Sequence, residues 1–276
     1  MKVIVAKSAG FCWGVKRAVE KARGLLQEGP RPVHTDGPLI HNEQMLDQLC
    51  KEGILETSNP AALKDGTLLI RAHGISPERR EMLNRLPVRL VDATCRDVGR
   101  IQGTIKKHAR KGYHTIIFGD RGHAEVLGLL GCAQGRGFVV TTPAEVAALP
   151  AMDPVCVVAQ STQFPKHYQQ IAEAARRRFP GALVLDTICE ATRNRQADLV
   201  ALAGTVDAIV VVGGQQSANT LRLVELARSL KPTFAIQKSD QLSREDFRSF
   251  RTLGLTAGAS TPDFVIDEVR RKLEEF

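Results

Sequence analysis

The chain has 276 residues, 43% hydrophobic and 25% charged, a balance that excludes disordered, collagen-like and low-complexity classes. At roughly 100–200 residues per domain there is room for two domains, or for three small ones. Its 38 Lys and Arg against 30 Asp and Glu give a net charge of +8, which favours anionic partners such as nucleic acid, phosphorylated metabolites or an acidic protein. The first element, Val3-Ile-Val-Ala, is a strand entered directly from Met1, without the apolar stretch and small-residue cleavage site of a signal peptide. The longest apolar run, Ala208-Ile-Val-Val-Val-Gly, falls short of the ~18–20 residues of a membrane span. A cytoplasmic protein is expected.

Past the first strand, Cys12 opens a helix whose apolar residues Val15, Ala18, Val19, Ala22, Leu25 and Leu26 repeat at helical spacing. Next come two strands that run into polar loops, Val33-His-Thr-Asp-Gly-Pro-Leu-Ile-His41-Asn42 and Leu68-Leu-Ile-Arg-Ala-His73-Gly74. Val88-Arg-Leu-Val-Asp92-Ala-Thr-Cys95 follows, with Gln102 seven residues beyond its cysteine. Thr115-Ile-Ile-Phe-Gly119 leads to His123-Ala-Glu125 and a helix over residues 124–130, and Val155-Cys-Val-Val-Ala leads to Gln160-Ser161-Thr162. Ala182-Leu-Val-Leu-Asp186-Thr-Ile-Cys189 repeats the Asp-x-x-Cys ending, again with a glutamine, Gln196, seven residues on. Ile209-Val-Val-Val-Gly213 runs to Ser217-Ala-Asn219 and a helix over 220–229, and Leu253-Gly-Leu-Thr-Ala-Gly258 runs to Ser260. The basic runs 106–111 and 176–178 precede Gly112 and Phe179-Pro180-Gly181, and read as cations at helix C-termini.

Nine strand-then-polar-loop units separated by helices form a βαβα pattern with parallel sheets. Three units per strand-end cysteine predict three similar α/β domains facing a shared centre. The boundaries are 1–95, 96–188 and 189–260, with 261–276 packing back on the first. In such architectures ligands gather at the C-terminal ends of strands. Cys12, Cys95 and Cys189 stand there, whereas Cys50, Cys132 and Cys156 read as packing residues. No C-x-x-C or zinc-finger spacing occurs. Three thiolates can hold zinc or an iron–sulfur cluster. Structural zinc takes four ligands, whereas a cubane on three cysteines leaves one iron open for chemistry, and the cluster is preferred. His41, His73 and His123 with Ser217, Asn219 and Ser260 suit a phosphate or diphosphate. Glu125, two residues past His123, is placed as a proton donor.

These residues lie in segments resembling the 4-hydroxy-3-methylbut-2-enyl diphosphate reductase family, also called IspH or LytB. The segments are Gly10-Phe-Cys-Trp-Gly-Val, Gly37-Pro-Leu-Ile-His-Asn, Ala72-His-Gly, Asp92-Ala-Thr-Cys, Gly122-His-Ala-Glu-Val, Ala159-Gln-Ser-Thr, Asp186-Thr-Ile-Cys, Asn194-Arg-Gln, Ser217-Ala-Asn and Thr256-Ala-Gly-Ala-Ser, spread from Lys2 to about Lys272. The resemblance implies a trefoil of three α/β domains around a [4Fe–4S] cluster held by Cys12, Cys95 and Cys189, its open iron taking the substrate hydroxyl. It implies a diphosphate lying among His41, His73, His123, Ser217, Asn219 and Ser260. Glu125 is then the proton donor, and Ser161 with Thr162 holds the hydroxyl or water network. Two electrons and two protons remove the hydroxyl as water and leave isopentenyl and dimethylallyl diphosphate.

Four positions depart from the family pattern. Arg96 and Ala124 stand where prolines are usual, Ser161 replaces a threonine, and Ala218 replaces a serine. The changes at Ser161 and Ala218 motivate a second reading, a reductase of the same fold for another allylic alcohol or diphosphate. The charge motivates a third, a non-enzymatic iron–sulfur or RNA-binding protein, although no basic stretch is interleaved with aromatics and nucleic-acid binding is not expected. No Gly-x-Gly-x-x-Gly fingerprint follows an early strand, so electrons are expected from an external ferredoxin or flavodoxin.

Overall fold

A computed structural model describes all residues, Met1–Phe276. In chain order, β1 (Lys2–Val5), α1 (Trp13–Glu28), β2 (Val33–Asp36), α2 (Glu43–Lys51), β3 (Ile54–Thr57), β4 (Thr67–Ile70), α3 (Pro77–Asn84) and β5 (Arg89–Asp92) come first. They are followed by α4 (Arg96–Ala109), β6 (His114–Phe118), α5 (Ala124–Cys132), β7 (Gly137–Val140), α6 (Pro143–Ala147), β8 (Val155–Ala159), α7 (Pro165–Arg178) and β9 (Leu183–Val184). The remainder is α8 (Glu190–Ala203), β10 (Ala208–Val212), α9 (Ala218–Arg228), β11 (Thr233–Ile236), β12 (Thr252–Ala257) and α10 (Asp263–Glu274). None of the helices is long and apolar enough to cross a membrane.

The twelve strands form three four-stranded parallel sheets, ordered β3-β2-β4-β5, β7-β6-β8-β9 and β11-β10-β12-β1. The three orders are one pattern. In each, two central strands are flanked by the strand that follows the first of them and, on the far side, by a strand that ends near a cysteine. The fold class is therefore α/β with parallel sheets, and one expectation needs correction. Dividing the chain at residue 95 puts β1 with the strands that follow it, but β1 pairs with β12 in the third sheet, Val3 opposite Leu253. The reason is positional: β1 fills the cysteine-bearing edge that β5 and β9 fill in the other two sheets.

Chain contacts divide the protein into two compact units. One comprises Met1–Lys16, Ile40–Glu52 and Glu190–Phe276 and contains the β11-β10-β12-β1 sheet. Its central strand β10 is buried throughout because both faces are covered, and side chains alternate between them. Ala208, Val210 and Val212 pack with Val265, Ile266, Val269 and Leu273 of α10, while Ile209 and Val211 pack with Leu199 and Leu202 of α8 and Leu223 and Ala227 of α9. Residues 261–276 thus pack on the sheet that β1 completes.

The second unit, Arg17–Leu39 and Gly53–Cys189, holds the other two sheets. Ile116, Phe118, Val155 and Val157 pack against Tyr168, Ile171 and Ala175 of α7. On the opposite face Ile117 and Val158 meet Ile101 and Ile105 of α4 and Val126, Leu129 and Cys132 of α5. Cys132 and Cys156 are fully buried packing groups, and burial pushes the Cys132 thiol up to about 11. Cys50 is exposed on α2. Side-chain caps start five helices, with Asn42, Ser76, His123, Thr142 and Ser217 each accepting an amide of the first turn. The cations expected at helix ends lie in the last turns of α4 and α7.

Candidate functional site

Because every sheet is parallel, its three polar loops leave from one end. The chain moves outward from the first central strand and returns to the second, so a crevice opens between their C-terminal ends, where α/β sheets bind ligands. Measured from the strand ends, the expected residues fall at repeating positions. His41, His123 and Ser217 each stand five residues past the first central strand (β2, β6, β10). His73, Thr162 and Ser260 each stand three past the second (β4, β8, β12). Glu125 and Asn219 each stand seven past β6 and β10. The cysteines follow the outer strands β1, β5 and β9, and each immediately precedes a helix or its first turn (α1, α4, α8).

One hydrogen-bond pattern ties these positions together. The amide of Cys95 donates to Ala72 O at 2.9 Å, that of Cys189 to Ser161 O at 3.0 Å, and that of Cys12 to Ala259 O at 3.0 Å. Ala72, Ser161 and Ala259 are equivalent, two residues past β4, β8 and β12. Their own amides donate to the neighbouring loop: Ala72 to Leu39 O at 3.1 Å, Ser161 to Glu125 Oε1 at 2.7 Å, and Ala259 to Asn219 Oδ1 at 2.9 Å. A single residue therefore joins each cysteine to the loop of the first central strand. In two sheets the acceptor at the far end is the side chain seven residues past the strand, Glu125 or Asn219.

In the second unit, Glu125 is 2% exposed and held on both oxygens, since Ser161 Oγ donates to Oε2 at 2.8 Å. Burial is the dominant influence and pushes its carboxyl up to about 7, against the two Ser161 bonds, with the nearby Asp120 adding to the rise. Burial thus lets this acid keep its proton much closer to neutral pH than an exposed carboxyl does. His123 caps α5 by accepting the Glu125 amide on Nδ1 at 3.1 Å, which places the ring proton on Nε2. Its ring meets that of His73 edge to face, centroids 5.5 Å apart. Thr162 Oγ1 is buried without a hydrogen-bond partner, which in a native protein marks a ligand or water position.

In the first unit, Asn219 spends its oxygen on the Ala259 amide and keeps both N–H groups as donors. Ser217 caps α9, and Ser260 Oγ donates to His41 O at 2.9 Å. Gly258 is demanded by a close approach: a Cβ there would lie 2.0 Å from Thr220 Oγ1. The structure thus unites Glu125, Ser161 and Cys189, pairs His73 with His123, and joins Cys12, Ala259 and Asn219.

Sequence reading missed Arg195 and Asp198, although Asn194-Arg-Gln stood out as a motif. Arg195, 5% exposed, donates to three carbonyls at the Cys12 loop and the end of β12. Three of the four departures also find a common place. Arg96, Ala124 and Ala218 are each the first residue of a helix, after Cys95, His123 and Ser217. Proline is favoured there because the amide has no helical partner, so its absence at Arg96 and Ala124 leaves those helix starts intact.

The cysteines suit an iron–sulfur group. None of the six thiols is in a disulfide, and Cys12, Cys95 and Cys189 are half-buried. Each lies at a helix start, which favours an anionic ligand, and soft thiolates select such clusters.

Comparisons with known proteins identify the chain's relatives. The LytB protein family model matches residues 3–274. The chain is 52% identical to the 4-hydroxy-3-methylbut-2-enyl diphosphate reductase of Opitutus terrae, over 99% of both chains. It is 38% identical to that of Alkaliphilus oremlandii over 98% of both. A solved structure of (E)-4-hydroxy-3-methyl-but-2-enyl diphosphate reductase, the terminal enzyme of the non-mevalonate pathway, superposes with a TM-score of 0.75 at 35% identity, covering 100% of both chains. The Plasmodium falciparum E-1-hydroxy-2-methyl-but-2-enyl-4-diphosphate reductase reaches 0.91 at 26% identity, over 99% of this chain and 87% of that one.

Proposed function

The chain belongs to the LytB protein family, and we propose that it reduces (E)-4-hydroxy-3-methylbut-2-enyl diphosphate to isopentenyl and dimethylallyl diphosphate. The reaction consumes two electrons and two protons, breaks the allylic C–O bond and releases the oxygen as water. Cys12, Cys95 and Cys189 are the thiolates that hold a [4Fe–4S] cluster. When bound, the cluster supplies the electrons and a Lewis-acidic iron.

The observation that carries this reading is the chain Glu125–Ser161–Cys189. A buried carboxyl with its pKa near 7 shares a residue with a cluster-ligand loop, where a leaving hydroxyl must be protonated. Glu125 delivers that proton, and Ser161 with Thr162 orients the hydroxyl and the departing water. His41, His73 and His123 bind the diphosphate together with Ser217, Asn219 and Ser260. His123 Nε2–H and the Asn219 amide are its defined donors. Binding the diphosphate away from the reacting carbon fixes that carbon in place. An acidic ferredoxin or flavodoxin is the matching electron carrier for a chain of net charge +8.

The test is anaerobic turnover with a reduced viologen dye and the hydroxymethylbutenyl diphosphate. Both products should form, and Glu125→Gln should slow their formation by about 10²–10⁴ while the cluster is retained. An intact cluster with neither product would overturn the substrate assignment.

A further inference from the structure

The three cysteine edges are not equally built. Two residues, 93–94, separate β5 from Cys95, and four, 185–188, separate β9 from Cys189, but six, 6–11, separate β1 from Cys12. A longer loop has more conformations to lose, so it needs more fixing points. The structure provides them from one helix, α8. Asp198 accepts both the amide and the hydroxyl of Ser8, each at 2.7 Å. One turn earlier, the Arg195 guanidinium donates to Ser8 O, to Gly10 O at 2.6 Å, and to Ala257 O at 3.3 Å. Gly10 permits the arrangement, with φ at +103° and a would-be Cβ 2.8 Å from Asp263 Oδ1. Arg195 is thereby fastened to both sides of one seam, the Cys12 loop and the strand that leads to Ala259 and Ser260. Across the same seam the Cys12 amide meets Ala259 O, and the Ala259 amide meets Asn219.

We propose that Arg195 is a positioning residue that locks the Cys12 loop to the 257–260 loop, so that an anion held by Asn219 and Ser260 is felt at Cys12. The second half rests on the diphosphate and cluster roles given above; the lock itself does not. Arg195 acts through three carbonyls, and its fork of donors serves them at once where lysine has a single nitrogen. Substrate binding and the rigidity of one cluster ligand are then two readouts of one joint.

The test is hydrogen exchange followed by mass spectrometry on the whole protein, with inorganic diphosphate as the probe. In the wild type, the probe should slow exchange in residues 257–260 and also in residues 8–12. In Arg195→Met, residues 8–12 should exchange about tenfold to a hundredfold faster and lose their response to the probe, while 257–260 remain protected. Arg195→Lys should restore part of both effects, and Asp198→Asn, which leaves the guanidinium in place, should loosen 8–12 by about tenfold. Cluster iron should be lost faster on brief exposure to air in Arg195→Met than in the wild type. Unchanged exchange at 8–12 in both Arg195→Met and Asp198→Asn would overturn the lock. Protection of 257–260 without any change at 8–12 in the wild type would overturn the coupling. A probe that protects neither loop would instead remove the diphosphate role of Asn219 and Ser260, and faster exchange at 8–12 in Arg195→Met would still support the lock.

Discussion

The Glu125–Ser161 pair makes a prediction in which structure sets both sign and size. With its pKa at about 7, Glu125 has a proton to donate below that pH and is an empty base above it. Turnover with a small dye should therefore fall about tenfold per pH unit above neutrality. Ser161 holds the carboxylate through its amide and its hydroxyl, and both bonds favour the charged form. Ser161→Ala removes the hydroxyl bond only, worth about 1–1.5 kcal/mol, so the falling limb should move up by about one pH unit even as the maximal rate drops. Glu125→Gln should remove the limb and cost about 10²–10⁴ in kcat. The same burial has a stability signature. Between pH 4.5 and 7 the folded chain keeps a proton that the unfolded chain has released, so stability falls across that window, by about 3 kcal/mol in all. Urea unfolding at pH 5 and 7.5 reads this directly, and Glu125→Gln should remove that part of the slope. A limb in Ser161→Ala that stays at the wild-type pH, or a wild-type limb near 4.5, would refute the reasoning.

Serine substitutions at Cys12, Cys95 or Cys189 should each lower iron and sulfide content after anaerobic purification, while Cys50→Ser and Cys156→Ser keep both near wild type; cluster loss in the second set would break the ligand assignment. Arg79 donates to the 4%-exposed Asp36 carboxylate through Nη2 at 2.5 Å and Nε at 3.3 Å. Arg79→Met takes away the hydrogen-bonded partner of that buried carboxylate, leaving it only the nearby Arg71 charge, and should destabilise the fold by about 1–3 kcal/mol in urea titrations. Gly258→Ala drives a methyl into Thr220 and should raise KM for the diphosphate at least tenfold, Thr220→Ala in the same chain restoring part of the loss.

Much of this was legible because parallel strands covered on both faces are continuous apolar runs. Val155–Ala159 and Ala208–Val212 are buried at every position and stand out in the sequence. The three strands that the sequence did not reveal, β3, β7 and β11, occupy the same edge of their sheets. Ile54-Leu-Glu-Thr and Thr233-Phe-Ala-Ile are only partly buried there, so neither apolar continuity nor clean alternation marks them. The partner of β1 was illegible for a different reason, since register with a strand 250 residues away leaves no local trace. At the site, residue types betrayed the chemistry, but the repeat did not show because its equivalent positions carry different residues. His41 and His123 correspond to Ser217, Glu125 to Asn219, and His73 to Thr162 and Ser260. Only strand ends, once located, bring these into register. The glutamine seven residues past Cys95 gained a meaning the same way: Gln102 donates to Ile75 O at 3.2 Å and steadies the loop after His73. Arg195 was hidden because its partners are carbonyls, which every residue has.

The pairing of β1 with β12 also sets an order of events at the ribosome. Lys2 aligns with Thr252, so at ~5–20 residues per second the strand leading to Cys12 waits on the order of ten to fifty seconds for its neighbour to be made. The sheets of β2–β5 and β6–β9 are each drawn from one continuous stretch and can close during that interval. The waiting strand is an open edge in the meantime, and Lys2 at its start and Lys7 just past its end are the charges that discourage pairing with a stranger. A chain interrupted before Thr252 has its Cys95 and Cys189 edges in place but no strand to receive β1. Synthesis of β12 is thereby the licence for the Cys12 edge.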